Sequence, residues 1–377
     1  MELLPAANTK FCLDLFKKIS GANKMSNVFY SPVSISSALA MVSLGARGTT
    51  ATQLNESLHF HTVKGDLHLS FNQLFSELNK KGASYALSLA NRLYGDQSYQ
   101  FHEAFLKDTN RHYLAELESV DFQSDPEAAR MRINSWVEEQ TAEKIKELLP
   151  GGTVDSLTKL LLVNAIYFKG NWEEKFTRTS ESEFYLNKND KTSVVMMHHE
   201  FDSIPMSYNE EAQCQILELP YVGKDLSMFV MLPFQIEDNT TGLQKLEQDL
   251  THERLLALTH PDKMHKGRVM VSLPRFKMEE TYNLKDVLLS MGIVDAFDPC
   301  RCDLSGMSSG RDLVMSKVVH KSFIEVNEEG TEAAAATGIQ IMLCCMPPSF
   351  VADHPFLFFI RHNPTQTILF FGRFSSP

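Results

Sequence analysis

The chain has 377 residues, of which 43% are hydrophobic and 22% charged, and its formal net charge is −11. This negative charge argues against a dedicated nucleic-acid binder. The basic pairs Lys17-Lys18 and Lys80-Lys81 are interpreted as solvated faces, and a small heparin or DNA patch is the alternative. The length would allow two or three domains. No linker, charge block or internal repeat divides the chain, however, so we expect one domain over residues 1–377.

Helical periodicity dominates the first half of the chain, and strand patterns dominate the second. Ser31 and Pro32, for example, provide a cap and a first-turn proline for a helix. We predict helices over residues 10–20, 32–44, 50–60, 67–79, 103–113, 126–144 and 284–291. We predict strands over residues 28–30, 85–94, 116–122, 160–168, 213–219, 226–232, 268–273 and 313–327. The nearly continuous apolar run at 160–168 is typical of a buried central strand. The pattern indicates an α+β fold.

The cysteines and the start of the chain bear on its compartment. The start has neither a basic segment nor a long apolar one, so it does not match a conventional signal peptide. The cysteines are scattered without the spacing of a disulfide scaffold, which fits a reducing compartment. They are Cys12, Cys214, Cys300, Cys302, Cys344 and Cys345. We therefore expect a cytoplasmic protein, with release by leaderless secretion left open.

Three short patterns could suggest catalysis, and none has the required spacing. His198-His199-Glu200 lacks the His-Glu-x-x-His arrangement of zinc enzymes and is interpreted as part of a surface loop. Cys300-Arg301-Cys302 has one intervening residue, too few for a redox or zinc motif. No Gly-x-Ser-x-Gly segment occurs. We therefore expect no enzymatic activity, no cofactor and no metal site.

A stretch of small, uncharged residues near the end of the chain does not fit an ordinary element. No charged side chain occurs from Ala333 to Ala352. A transmembrane helix would be interrupted by Gln340 and by Pro347-Pro348. A buried alanine helix would be short, since Gly338 follows the alanines. A linker would be more polar than the Ile-Gln-Ile-Met-Leu that comes next.

We interpret this stretch as a strand that is not yet in its sheet. Thr331, Ala333 and Ala335 alternate onto one face, and their small side chains would allow the segment to enter between two existing strands. The apolar run at 339–343 would offer a protease a segment to bind.

The sequence Glu-Glu-Gly-Thr-Glu-Ala-Ala-Ala-Ala-Thr at 328–337 closely resembles the reactive-loop hinge of inhibitory serpins. The segments at 164–172, 352–356 and 372–377 resemble serpin segments in serpin order, most like the intracellular ovalbumin-like (clade B) branch. The resemblance implies one serpin domain with about eight or nine helices packed on three β-sheets. It also implies an exposed reactive-centre loop at about 328–352.

The resemblance also assigns roles to individual residues. Four polar residues embedded in apolar sequence would form a hydrogen-bonded cluster beneath the centre of the main sheet, called the shutter in this family: Ser31, Ser34, Asn164 and His320. From the residues alone, four separate and locally satisfied side chains are the alternative. Trp172 would lie at the top of that sheet, in the region called the breach. The hinge would comprise Glu329, Gly330, Thr331, Glu332, Ala333, Ala334, Ala335, Ala336 and Thr337.

The family's spacing from Gly330 places the scissile bond between Cys344 and Cys345, with Leu343 or Met342 as alternative cleavage residues. Cys344 would suit an elastase-like pocket, and Leu343 or Met342 a chymotrypsin-like one. The resemblance implies a monomeric suicide-substrate inhibitor of serine proteases such as neutrophil elastase, cathepsin G or proteinase 3, without membrane or specific nucleic-acid partners. A non-inhibitory serpin and an inhibitor of cysteine proteases are the alternatives.

Overall fold

The computed structural model describes residues 3–310, 312–331 and 347–377. The helices within these residues are α1 Leu3–Ala22, α2 Pro32–Gly45, α3 Gly48–Ser57, α4 Leu67–Leu78, α5 Glu103–Tyr113, α6 Pro126–Gln140, α7 Gln244–Asp249, α8 His252–Leu258 and α9 Lys285–Ser290. The strands are β1 Val28–Tyr30, β2 Tyr85–Asp96, β3 Leu117–Val120, β4 Leu160–Asn171, β5 Arg178–Tyr185, β6 Lys191–Asn209, β7 Cys214–Pro220, β8 Leu226–Pro233, β9 His265–Pro274, β10 Phe276–Asn283, β11 Met315–Asn327, β12 Gly330–Thr331, β13 Ser349–Val351, β14 Phe356–His362 and β15 Thr367–Phe374.

One sheet, called the main sheet below, has the strand order β10-β11-β12-β4-β2-β3. Its two central strands, β11 and β4, pair directly and in parallel from Met315 to Phe323 on β11. Beyond Phe323 the short strand β12 lies between them and pairs antiparallel with both. The main sheet is therefore closed along most of its length and held apart at one end.

The remaining strands form a nine-stranded sheet around the long strand β6. The first part of β6 pairs with β5 and β9, and its last residues pair with β7. An irregularity between Phe201 and Ile204 interrupts the pairing with β9 shortly before the pairing with β7 begins. The expected three sheets are thus present as three sets of strands, with two sets joined through β6. Together with the helices, they confirm the α+β fold class.

The main sheet is covered on both faces, and β4 shows this most clearly. Its residues Leu162 and Ile166 belong to the large core shared with α1, α2 and the nine-stranded sheet. Val163 and Tyr167, which point to the opposite face, belong to a smaller core with α6. Both faces of β4 are apolar, which accounts for the continuous apolar run that predicts a buried central strand.

Local signals predict many element bounds, but not all of them. Strand β1 and helix α5 have the predicted limits, and Ser31 accepts the cap hydrogen bond of α2 as expected. Helix α6 ends at Gln140 rather than at the predicted residue 144, because Ala142 and Glu143 adopt positive φ values of 50° and 61°. Helices α7 and α8 were not predicted. Among the described residues, no helix is long and apolar enough to cross a bilayer.

Candidate functional site: the hinge entrance and the polar cluster of the main sheet

The hinge begins inside the main sheet. Gly330 pairs with Asn327 on β11 and with Asn171 on β4, and Thr331 pairs with Val326 and Gly170. Two hinge residues therefore already occupy the position of an additional strand. We call this region, where β11 and β4 separate around β12, the hinge entrance.

Gly330 is required at the hinge entrance for two reasons. Its φ is +144°, which L side chains rarely adopt. A Cβ atom on this residue would lie 2.2 Å from the Gly170 carbonyl oxygen and 2.6 Å from Asn171 Cα. Both contacts are with backbone, which cannot move aside as a side chain can, so a residue other than glycine would force the hinge out of the sheet.

Trp172 lies at the hinge entrance, as the resemblance implies. Its indole Nε1 donates to the Asn327 carbonyl at 3.0 Å, and its main-chain nitrogen donates to the Glu329 carbonyl at 2.8 Å. The ring stacks on Tyr221 with centroids 4.6 Å apart. This buried tryptophan thus holds both the end of β11 and the start of the hinge.

The two glutamates before Gly330 are paired with cations. Glu328 pairs with Arg275, which precedes β10, and Glu329 pairs with Lys175, which follows Trp172. The Glu328 carbonyl also accepts from the main-chain nitrogen of Phe176 at 3.0 Å. Backbone and side-chain contacts therefore hold the chain just before the point where it enters the sheet.

The four polar residues of the predicted cluster lie together beneath the hinge entrance. His320 on β11 faces Asn164 on β4, and the imidazole Nδ1 is hydrogen-bonded to Asn164 Oδ1. Asn164 Nδ2 donates to Ser34 Oγ at 2.6 Å, and Ser34 N donates to Ser31 Oγ at 3.3 Å. The structure thus brings these side chains into one network that spans the two central strands and the start of α2.

The hydrogen bonds determine the tautomer of His320. Its Nε2 accepts from the main-chain N–H of Ser31 at 3.2 Å, so the proton of the neutral ring is on Nδ1 and is donated to Asn164. Burial lowers the pKa of His320 to about 3, because the charged form would lose its hydration. Tyr282 stacks on the imidazole with an interplanar angle of 11°. His320 is therefore neutral near pH 7.

The network contains two residues that the sequence analysis did not identify. Asn91 on β2 accepts through Oδ1 from Asn164 Nδ2 and from Ser34 Oγ. Its Nδ2 donates to Ser37 Oγ at 3.0 Å. A signal for Asn91 was available, because it continues the alternating series Tyr85, Leu87 and Leu89 with a polar side chain. Ser37 offers no comparable signal within the serine-rich start of α2.

Comparison with known proteins agrees with this geometry. A family model described as "Serpin (serine protease inhibitor)" matches residues 6–377. The chain belongs to the serpin family. This serpin is 56% identical to the leukocyte elastase inhibitor of Sus scrofa and 54% identical to that of Homo sapiens, each over 100% of both chains. This agrees with the resemblance to the ovalbumin-like branch.

Solved structures show the same fold. Uncleaved ovalbumin is 37% identical to this serpin and superposes with a TM-score of 0.90, covering 99% of this chain and 100% of that chain. In this serpin, as described above, β11 and β4 pair directly below the hinge entrance. The part of the main sheet beneath β12 therefore holds no inserted strand.

Several predicted site residues lie outside the described residues of this serpin. They are Glu332, Ala333, Ala334, Ala335, Ala336, Thr337, Met342, Leu343, Cys344 and Cys345. The chain re-enters the described structure before β13, which pairs in parallel with β9. Their predicted roles stay predictions.

The histidine pair of this serpin is not in a loop, so that interpretation was wrong. His198 and His199 lie on β6 and point to opposite faces. His198 Nδ1 is 2.8 Å from Ser272 Oγ, whereas His199 Nε2 is 2.7 Å from Glu174 Oε1. Within the described residues, no group of three or more His, Cys, Asp or Glu side chains could hold a metal ion.

Proposed function

We propose that this serpin inhibits serine proteases as a suicide substrate. The observation that carries the proposal is the position of β12, because Gly330 and Thr331 already pair with both central strands. A strand that has started between two neighbours can be extended by adding one residue at a time. Loop insertion is a known form of strand addition in serpins.

The proposed reaction begins at the carbonyl carbon of Cys344. The protease serine attacks this carbon through its hydroxyl oxygen, and the bond to Cys345 nitrogen breaks. The nitrogen takes up a proton and leaves as the new amino terminus of the C-terminal segment. The Cys344 acyl group stays on the protease, and water would later hydrolyse this ester.

Insertion competes with that hydrolysis. Once the loop is cut, residues after Thr331 are free to extend β12 and replace the direct pairing of β11 with β4. About fourteen residues at ~3.3 Å each make a strand of ~45 Å. This length would carry the bound protease along the molecule and distort its active site before hydrolysis. The chain acts in this scheme as a protein that enzymes cleave, and not as an enzyme.

The proposed targets are elastase-like and chymotrypsin-like serine proteases, including neutrophil elastase, cathepsin G and proteinase 3. Similarity to leukocyte elastase inhibitors supports the first class. Cleavage after Cys344 would suit the small pocket of an elastase, whereas cleavage after Leu343 or Met342 would suit a chymotrypsin-like enzyme. The residue used therefore decides the target.

Incubation with neutrophil elastase, chymotrypsin and papain, followed by a denaturing gel, tests the proposal. We expect a complex with a serine protease that survives denaturation, and mass spectrometry of the released peptide identifies the cleaved bond. Cleavage without a complex would indicate a non-inhibitory serpin. A stable complex with papain alone would indicate an inhibitor of cysteine proteases.

We also propose that the protein acts as a monomer in the cytoplasm. Free thiols at Cys12, Cys214, Cys300 and Cys302, all within the described residues, support a reducing compartment. Size-exclusion chromatography with light scattering tests the monomer, and cell fractionation tests the location. The mass of a dimer would contradict the monomeric state. Recovery mainly from the culture medium would contradict the cytoplasmic location.

A further inference from the structure

Glu329 places a carboxylate in a nearly closed site beside the hinge entrance. Its side chain is 7% exposed, and Lys175 Nζ contacts its Oε2. A buried carboxylate without a counter-charge is strongly unfavourable. Lys175 itself is 54% exposed, so the pair is buried on the hinge side and open to solvent on the other.

The same short segment holds Glu329 through its backbone as well. Trp172 N donates to the Glu329 carbonyl, and Phe176 N donates to the preceding carbonyl, that of Glu328. Lys175 lies between these two donors in the sequence. The segment 172–176 therefore binds the last residues before Gly330 through two main-chain hydrogen bonds and one ion pair.

Glu329 is next to the residue that determines the register of the new strand. Gly330 and Thr331 pair with β11 and β4 in positions that need no change when the strand is extended. Insertion can therefore proceed around a stationary Glu329. If Glu329 were released, Gly330 could shift relative to Asn171, and each residue added afterwards would be out of register.

We propose that Lys175 is a positioning residue that, through its ion pair with Glu329, keeps the hinge in register and thereby favours trapping of the protease over its release. This inference rests on the proposed inhibitory function. The ion pair acts after acylation, because it holds the hinge and not the reactive bond. It changes the fraction of cleaved molecules that trap the protease, while the rate of first cleavage stays the same.

Measuring the stoichiometry of inhibition with neutrophil elastase or chymotrypsin, whichever forms the complex, tests this role. We expect Lys175→Ala to raise the stoichiometry, through a loss of roughly fivefold in insertion rate, as for a partly exposed ion pair. The rate constant of first cleavage should be unchanged. Lys175→Arg should behave as the wild type.

Two further variants separate positioning from a general structural effect. Lys224 Nζ lies 3.5 Å from Glu173 Oε1, in the same segment, and this contact does not involve the hinge. Lys224→Ala should therefore leave the stoichiometry unchanged. The exchange Lys175→Glu with Glu329→Lys should restore part of the wild-type stoichiometry. Raising the salt concentration should raise the stoichiometry of the wild type more than that of Lys175→Ala.

The results distinguish this inference from the function on which it rests. If the wild type forms no complex with either protease, the proposed function fails. If the wild type forms the complex and Lys175→Ala has the same stoichiometry, the positioning role is overturned. An equal increase in Lys175→Ala and Lys224→Ala, or an exchange variant no better than Lys175→Ala, would also overturn it.

Discussion

His320 and Asn164 join the two central strands of the main sheet through a hydrogen bond from the imidazole Nδ1 to the amide Oδ1. Both side chains are buried. Because the bond crosses the line along which β11 and β4 would separate, it stabilises the closed sheet and has to break when a strand is inserted.

Lowering the pH should reduce the stability of the folded protein through protonation of His320. Burial lowers its pKa from the ordinary value of 6.5 to about 3 in the folded state. Between these two pH values the histidine is therefore protonated in the unfolded chain and neutral in the folded one. The stabilisation is fully present above about pH 6.5 and is lost as the pH falls toward 3, with a slope of up to ~1.4 kcal/mol per pH unit. Thermal unfolding at pH 5 and pH 7.5, in wild type and His320→Gln, measures it.

The wild type should lose more thermal stability than His320→Gln between these two pH values. Burial also lowers the pKa of His68, to about 4, so this histidine should also lower the stability as the pH falls. His68→Gln is the control that measures this second contribution separately. An equal loss in wild type and His320→Gln would contradict the assignment to His320.

Asn91 should be as important for the cluster as the residues that the family resemblance identifies. Asn91→Ala removes the acceptor for Asn164 Nδ2 and the donor to Ser37 Oγ. We expect a loss of ~1–3 kcal/mol, because buried partners are left without hydrogen bonds. Denaturant unfolding compares Asn91→Ala with Asn189→Ala. Asn189 lies on an exposed turn, so its substitution should hardly change the free energy of unfolding. Equal stabilities of the two variants would exclude Asn91 from the network.

Thr331→Arg should convert the inhibitor into a substrate. Thr331 is the last described hinge residue, and it pairs with both Val326 and Gly170. An arginine at this position would have to remain in the sheet while the strand is extended. Burying its unpaired guanidinium would cost several kcal/mol, so hydrolysis of the acyl-enzyme should outpace insertion. A denaturing gel after incubation with elastase should show cleaved protein in place of complex. Thr331→Ser is the matched control, and a Thr331→Arg complex at wild-type stoichiometry would contradict the hinge argument.

Cleavage within the loop should make the protein more resistant to heat. If β12 continues in its present register, the residue six positions after Thr331, Thr337, comes opposite Asn164 and His320. A complete strand would then replace one parallel pairing, that of β11 with β4, by two antiparallel pairings, which adds main-chain hydrogen bonds. Calorimetry of nicked and intact protein should show a higher Tm for the nicked form. Equal Tm values would mean that this chain does not insert its loop.

Oxidation should reduce inhibition reversibly if cleavage occurs after Cys344, which lies outside the described residues. A mixed disulfide or sulfenic acid would enlarge or charge the side chain that enters the protease pocket. Mild peroxide or oxidised glutathione should lower elastase inhibition, and dithiothreitol should restore it. Cys344→Ala should keep inhibition and resist the oxidant. Full inhibition with confirmed modification of Cys344 would show that its thiol chemistry is incidental.

Local features of the sequence were enough for several parts of this description. The Ser31-Pro32 start of α2 and the limits of β1 and α5 depend on caps, prolines and periodicity within a few residues. The apolar run of β4 could be predicted because both faces of that strand are buried. The residues of the hinge and of the polar cluster were identified by resemblance, since their sequence context is distinctive.

Only the tertiary structure showed which distant residues meet. Asn91 joins the cluster through Asn164, 73 positions away, and Lys175 pairs with Glu329, which is also distant in sequence. The position of β12 between β11 and β4 is also decided by pairing across the sheet. Local propensity carries no information about such contacts, because strand register and ion-pair partners depend on how segments far apart in sequence are packed together.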